Sequence, residues 1–183
     1  YKWRGQRLNA GYVTTFNEYA VVSENRTTPV PKDFDLKTAA LFGCAVTTGF
    51  GVINNNAKVR IGESVVVFGV GGIGLSVVQC AAMVSAYPIM AVDIFNNKLE
   101  LAKKLGATHV VNSQDKGLKE QILKIVGQSG ADVAIDNTGN TKVIELAYEL
   151  THPQGRTVLV GVPKRGENIN IYSLPLHFGK NLT

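Results

Sequence analysis

Gly69-Val70-Gly71-Gly72-Ile73-Gly74 is the stretch whose reading decides how this chain folds. It follows the apolar run Ser64-Val65-Val66-Val67-Phe68, which has the unbroken hydrophobicity of a strand buried on both faces. It opens a segment with apolar residues at Ile73, Val77, Ala81 and Val84, the spacing of one helix face. A second apolar run, Pro88-Ile89-Met90-Ala91-Val92, ends in Asp93, 22 residues beyond Gly71. Strand, glycine turn, helix, strand and acid in this order make the pattern of a dinucleotide site. Gly69 permits the tight turn, Gly71 lets backbone approach a pyrophosphate, and Gly74 lets helix and strand pack closely. The helix N-terminus offers unpaired N–H groups and the positive end of its dipole to phosphates. Asp93 is placed to accept hydrogen bonds from both ribose hydroxyls, and its charge would repel a 2′-phosphate, which favours NAD.

Outward from the turn the alternation continues. Asn96 and Asn97 are candidate caps for a helix carrying Leu99, Leu101, Ala102 and Leu105, closed by Gly106. Thr108 to Asn112 reads as a third strand, and Leu118, Ile122 and Ile125 as one face of a helix ending at Gly127. Ala131 to Asp136 reads as a fourth strand, with Asp132 and Asp136 as solvated end residues. Val143, Leu146, Ala147 and Leu150 mark the next helix, and Arg156 to Gly161 a fifth strand. Strands alternating with helices imply right-handed crossovers and a doubly wound parallel α/β sheet of Rossmann type. The sixth strand of that fold would fall after Ser173, so the sheet is expected to lack its last strand. Upstream, Gly43 to Asn56 reads as a helix feeding the first strand, while Phe16, Tyr19, Val21 and Val22 suggest one strand of a separate region.

Composition sets the outer limits. With 183 residues, of which 45% are hydrophobic, the chain can hold one full domain and an appendage. The net charge of +5 comes from scattered bases, which suits a surface around an anionic cofactor better than a nucleic-acid stripe. Cys44 and Cys80 form no CxxC and no disulfide framework, which points to a reducing, cytoplasmic compartment. No signal-peptide pattern opens the chain, and no apolar run is read as approaching the roughly 20 residues that cross a membrane. Tyr1 at one end and Lys180-Asn181-Leu182-Thr183 at the other read as the cut ends of a piece of a longer protein.

Further motifs, in order, are Thr15-Phe16-Asn17-Glu18-Tyr19, Gly43-Cys44-Ala45-Val46-Thr47-Thr48-Gly49-Phe50-Gly51, Leu105-Gly106-Ala107-Thr108 and Gly161-Val162-Pro163. Together with the glycine turn and Asp93, they resemble the zinc-containing medium-chain alcohol dehydrogenases, nearest the alcohol and formaldehyde dehydrogenase branches. The resemblance implies that residues 1–32 are the tail of a GroES-like catalytic domain and residues 33–183 a C-terminally truncated NAD-binding domain. It implies Cys44 as one ligand of the catalytic zinc, in a Cys₂His set known for alcohol dehydrogenase, with the other two ligands outside this stretch. It further implies that Thr48 and Ile73 lie near the nicotinamide, that Asp93 and Lys98 hold the adenosine ribose, and that the backbone of Val162 meets the nicotinamide amide. The cofactor set is therefore Thr48, Gly69, Gly71, Gly72, Ile73, Gly74, Asp93, Lys98, Thr138 and Val162. Thr138 departs from an apolar position of some relatives.

The implied reaction is hydride transfer between an alcohol or aldehyde and NAD, with zinc as Lewis acid, in a protein that forms homo-oligomers and binds neither nucleic acid nor membrane. The fragment alone would be inactive. Two rival readings are a zinc-free reductase of quinones or enones and a non-catalytic NAD-sensing module. Taken alone, Cys44 reads as a small buried apolar side chain and Lys98 as the exposed start of a helix. Cys80 reads as core, and His109, His152 and His177 as structural, since none has a second ligand at metal spacing.

Overall fold

The computed structural model describes residues 2–7 and 18–183. The chain divides into two units, Tyr1–Ala39 and Ala40–Thr183. In the first, β1 (Lys2–Trp3) and β2 (Gln6–Arg7) form a short antiparallel pair. Glu24–Arg26 is a turn of 3₁₀ helix. The strand expected around Phe16 to Val22 is not formed by its described part: Tyr19 and Val21 are fully solvent-facing and pair with no described strand. Phe16, with Thr15 and Asn17, lies outside the described residues. Helix α1 (Leu36–Phe42) starts behind Asp35, whose carboxylate accepts the Thr38 N–H (2.9 Å), the Thr38 hydroxyl (2.7 Å) and the Lys37 N–H (3.3 Å). Those bonds, the Thr38 hydroxyl first, hold the Asp35 carboxyl below the usual aspartate range.

The second unit is built on one six-stranded sheet, in the order β5-β4-β3-β6-β7-β8, with every pair parallel. The strands are β3 (Val65–Phe68), β4 (Ile89–Asp93), β5 (His109–Asn112), β6 (Ala131–Asp136), β7 (Thr151–Leu159) and β8 (Asn181–Leu182). Between them run α3 (Gly72–Met83), α4 (Asn96–Lys104), α5 (Leu118–Val126), α6 (Thr141–Glu149) and the short α7 (Leu174–His177). The doubly wound arrangement agrees with the expectation from sequence in all but one respect. The last strand is present: Asn181–Leu182 pairs with Arg156 and Thr157 of β7. It is held there by Lys180, which is 7% exposed and donates to the Thr151 carbonyl (2.7 Å) with its ammonium 4.3 Å from the Tyr148 ring centre. Burial pulls the Lys180 pKa down, and nearby Glu149 opposes the shift.

Side chains alternate between the two sheet faces, as the pleat requires. Val65, Val67, Ile89, Ala91, Val133 and Ile135 pack on the face covered by α3 and α4. Val66, Phe68, Met90, Val92 and Ala134 pack on the opposite face against Ile122 of α5 and Ala147 of α6. Burying such a side chain stabilises by about 1.5–3 kcal/mol, which is why the central strands are continuous apolar runs. Cys80 lies in the first of these clusters, with burial pushing its thiol pKa up against a weak hydrogen bond from Asn54 (3.7 Å).

Helix α2 (Ala45–Gly51) continues into a π-helical turn, Val52–Ala57, whose Val52, Ile53 and Ala57 enter the core. Arg156 closes that turn by donating to the carbonyls of Ala57 and Lys58 while pairing with Glu63. Contrary to the reading of apolar runs, the helical stretch Leu36–Ala57 has the length (22 residues) and mean hydropathy (1.5) of a membrane span. Leu36, Leu41, Phe42, Val46, Phe50, Val52 and Ile53 raise that value, and its threonines and glycines lower it. The helix is broken at Cys44, whose φ/ψ of −146/−65° is not helical, and its second part is anchored in the sheet's core. Two end-residue readings are also corrected. Asp136 is fully buried because its carboxylate accepts the N–H groups of Thr138 and Gly139 and the Thr138 hydroxyl, and Asp132 accepts from the N–H and hydroxyl of Ser64. Asn96 caps nothing with its side chain, which instead accepts from Asn112 (2.7 Å).

Candidate functional site

The pairings Phe68↔Val92 and Phe68↔Asp136 bring the C-terminal ends of β4, β3 and β6 level, and the chain winds in opposite directions on either side of β3. In open parallel sheets this switch point is where a crevice opens. A cavity of about 570 Å³ lies there, within the usual range for small-molecule sites. One wall is the glycine turn and the first turn of α3, a second is Asp93, Phe95 and Lys98, and a third is Asn137 to Asn140.

The glycines differ in what they make room for. Gly69 has φ +80°, and a Cβ there would also come within 2.8 Å of the Thr138 methyl. At Gly74 a Cβ would lie 2.1 Å from the Gly69 carbonyl oxygen, so helix and turn touch backbone to backbone. A Cβ at Gly71 would meet nothing within 4 Å and would project into open space. At Gly72 it would make an ordinary 3.5 Å contact with Ala45. Packing therefore dictates glycine at 69 and 74 but not at 71. The first N–H groups of α3 have no intrahelical partner and stand where the cavity begins.

Asp93 is 8% exposed at the end of β4. Its Oδ2 accepts the Val70 N–H (2.9 Å), its Oδ1 accepts the Phe95 N–H (3.0 Å), and Lys98 Nζ is 3.9 Å from Oδ2. The same ammonium lies 4.8 Å from the Phe95 ring centre. Lys98 is thus both the half-exposed start of a helix and a neighbour of the acid. Thr138 donates its hydroxyl to Asp136 Oδ1 (2.6 Å) and accepts the Asn140 N–H (3.0 Å), while its methyl faces Gly69. With the hydroxyl satisfied locally, threonine occupies an apolar position at little cost. Asn140 in turn caps α6, accepting from Lys142 and Val143.

The cavity wall gathers Gly69, Gly71, Gly72, Ile73, Gly74, Asp93, Lys98 and Thr138. Cys44, Thr48 and Val162 are not part of it. Cys44 is exposed, not buried as its isolated reading had it, with Sγ 4.0 Å from the Thr48 hydroxyl. The Ala45 methyl lies 3.5 Å from where a Cβ at Gly72 would stand, which places this segment beside the start of α3. Val162 is 88% exposed, and its backbone packs on Gly139, where a Cβ would lie 2.5 Å from the Val162 oxygen. Among the described residues no group of three His, Cys, Asp or Glu side chains could hold a metal ion. His109 contacts Thr108, His152 accepts the Gln154 N–H, and His177 stacks edge-on to Phe178. Sequence reading missed Phe95, Asn137, Asn140, Leu118, Val143 and Leu146 as wall residues. Only the position of Phe95, two residues past the acid, could have signalled a place in the wall.

Residues 72–182 match the family model described as zinc-binding dehydrogenase. The chain belongs to that family. Over 170 residues it is 39% identical to an S-(hydroxymethyl)glutathione dehydrogenase of Synechocystis sp., an alignment covering 91% of this chain and 46% of the relative. The Saccharomyces cerevisiae protein of the same name is 38% identical over 172 residues, covering 91% and 45%. Among solved structures, benzyl alcohol dehydrogenase from Acinetobacter calcoaceticus superposes with a TM-score of 0.86 at 33% identity, covering 93% of this chain and 47% of that one. An alcohol dehydrogenase zinc-binding domain protein from Burkholderia ambifaria gives 0.85 at 33%, covering 93% and 46%. The chain spans about half the length of the curated relatives it matches. The six-stranded unit matches the cofactor-binding domain of this family.

Proposed function

We propose that this chain is the NAD-binding part of a zinc-dependent alcohol dehydrogenase that moves a hydride between an alcohol and aldehyde pair and the cofactor. The observation that carries the reading is the open space over Gly71 beside the buried carboxylate of Asp93. A pyrophosphate fits where Gly71 carries no side chain, held by the N–H groups and positive end of α3. Asp93 retains lone pairs beyond its two backbone bonds, so it can accept from ribose hydroxyls. A 2′-phosphate placed there would meet a buried negative charge. Thr48, Ile73 and Val162 would flank the nicotinamide, with Ile73 giving it an apolar backing. Bound NAD supplies the hydride acceptor, and the chain's own residues bind and orient it.

Cys44 fits a zinc site as one ligand only, since a catalytic zinc takes three from the protein. No step through the metal follows from this chain alone. In a longer protein Cys44 would be joined by ligands from a GroES-like catalytic domain, to which residues 1–32 would belong, with residues 33–183 as the NAD-binding domain. Homo-oligomeric assembly, a small alcohol or aldehyde substrate and a cytoplasmic location complete the reading.

The test is calorimetric titration of the chain with NAD and with NADP. The reading requires NAD binding and at least about tenfold weaker NADP binding, or about 1.4 kcal/mol. Equal or tighter NADP binding overturns the selectivity, and binding of neither overturns the site.

A further inference from the structure

Val70, in the middle of the glycine turn, is fully buried. A buried backbone N–H must find a partner, and an orphan costs about 1–3 kcal/mol. Gly69 N–H is taken by the Val92 carbonyl (2.8 Å), so the β4 end grips the first residue of the turn. Val70 N–H is taken by a side chain, Asp93 Oδ2, at 2.9 Å. Asp93 is itself fixed, since its other oxygen accepts the Phe95 N–H and its side chain is only 6% exposed. One carboxylate thus ties the turn after β3 to the turn after β4, before any ligand arrives.

We propose that Asp93 is a positioning residue for the glycine turn: by holding the Val70 N–H it sets the aim of the Gly71–Gly74 N–H groups, and so governs diphosphate binding independently of any ribose contact. This rests on reading the cavity as a nucleotide site. A shorter side chain at 93 leaves the Val70 N–H without a partner, and the turn must shift to find one. Its N–H groups then no longer converge on one anion. Weakened binding in an Asp93 variant would therefore come from two sources, of which only one passes through the sugar.

The two sources separate with ADP and 2′,3′-dideoxy-ADP, which differ only in the hydroxyls that Asp93 could bind. Both are titrated by calorimetry into the 183-residue chain and its Asp93→Ser variant, with thermal unfolding followed in parallel. Affinity for dideoxy-ADP is expected to fall about tenfold in the variant, and affinity for ADP further. If Asp93→Ser does not unfold cooperatively, Asp93→Asn takes its place. It retains one accepting oxygen but sets an amide N–H against a backbone N–H, so both affinities fall by less. Dideoxy-ADP binding unchanged within twofold in a folded variant overturns the proposal, even if the unfolding temperature drops. So does failure of the unaltered chain to bind dideoxy-ADP while binding ADP. Failure to bind either nucleotide overturns the cofactor-site reading itself, and this proposal with it.

Discussion

The glycine turn and the Cys44 segment stand beside each other at the start of α3, with the Ala45 methyl 3.5 Å from where a Cβ at Gly72 would be, yet only the turn has all its expected parts within the chain. The turn has its bend, its close backbone contact, its open face and its acid within 25 residues of chain, delivered by a single strand–helix–strand unit. Cys44 has a hydroxyl 4.0 Å away and, among the described residues, no second and third ligand. A phosphate site made of backbone N–H groups needs only local geometry. A metal site needs side chains that converge from distant parts of a sequence.

The largest expected effect breaks the complete half. Gly74→Ala would put a methyl 2.1 Å from the Gly69 carbonyl oxygen, a backbone atom that cannot rotate away. The cost is expected at about 3 kcal/mol or more, at the upper end of overpacking effects. Thermal unfolding should show a large loss of stability or no cooperative transition, and NAD binding should vanish with it. A stable Gly74→Ala variant would mean that helix and turn do not meet as described.

A second experiment sharpens the contrast from the other side. Cys44→Ser touches only the incomplete site, so NAD affinity should stay within about twofold, or about 0.4 kcal/mol. The unaltered chain, dialysed with zinc and analysed by elemental spectrometry, should retain much less than one equivalent. It should also produce no reduced nicotinamide from a panel of alcohols. Stoichiometric zinc that disappears in Cys44→Ser would show that the chain completes the site by itself.

The smallest effect concerns the helix that leads into Cys44. Asp35 is bonded to the N-terminus of α1, and its carboxyl is held below the usual range by those bonds. A lowered folded-state pKa means that the stabilisation is complete above the unfolded-state value and is lost as pH falls through the folded one. Circular dichroism should therefore show a slight loss of helix below the usual aspartate value of 3.8, and Asp35→Asn should remove that component. An identical acid profile in the variant would show that the cap contributes nothing.

The parts legible in the sequence are those fixed by local rules. Val65 to Phe68, Ile89 to Asp93 and Ala131 to Asp136 read as buried strands because both faces of each are covered, and they are. Gly69, Gly71 and Gly74 could be given separate duties because their spacing reflects a turn, an approach and a contact. What escaped depends on partners far along the chain. Asp136 looked like a solvated end until the Thr138–Gly139 turn folded over its carboxylate. Asn96 looked like a cap, but Asn112, sixteen residues on, takes its side chain. Asn137 enters the cavity wall because β6 flanks β3. The last strand is two residues long, too short for any periodicity, and is secured by a lysine that composition would place outside.

Gly71 carries the central claim, because a Cβ there would meet nothing within 4 Å and would stand in the space proposed for the pyrophosphate. The decisive measurement is NAD affinity of Gly71→Ala by calorimetry, read beside its thermal unfolding. Stability is expected to stay within about 0.5 kcal/mol of the unaltered chain, as for a substitution into open space. NAD affinity is expected to fall at least about tenfold, because the new methyl occupies the approach of the pyrophosphate. A folded Gly71→Ala chain that binds NAD as tightly as before would contradict the account.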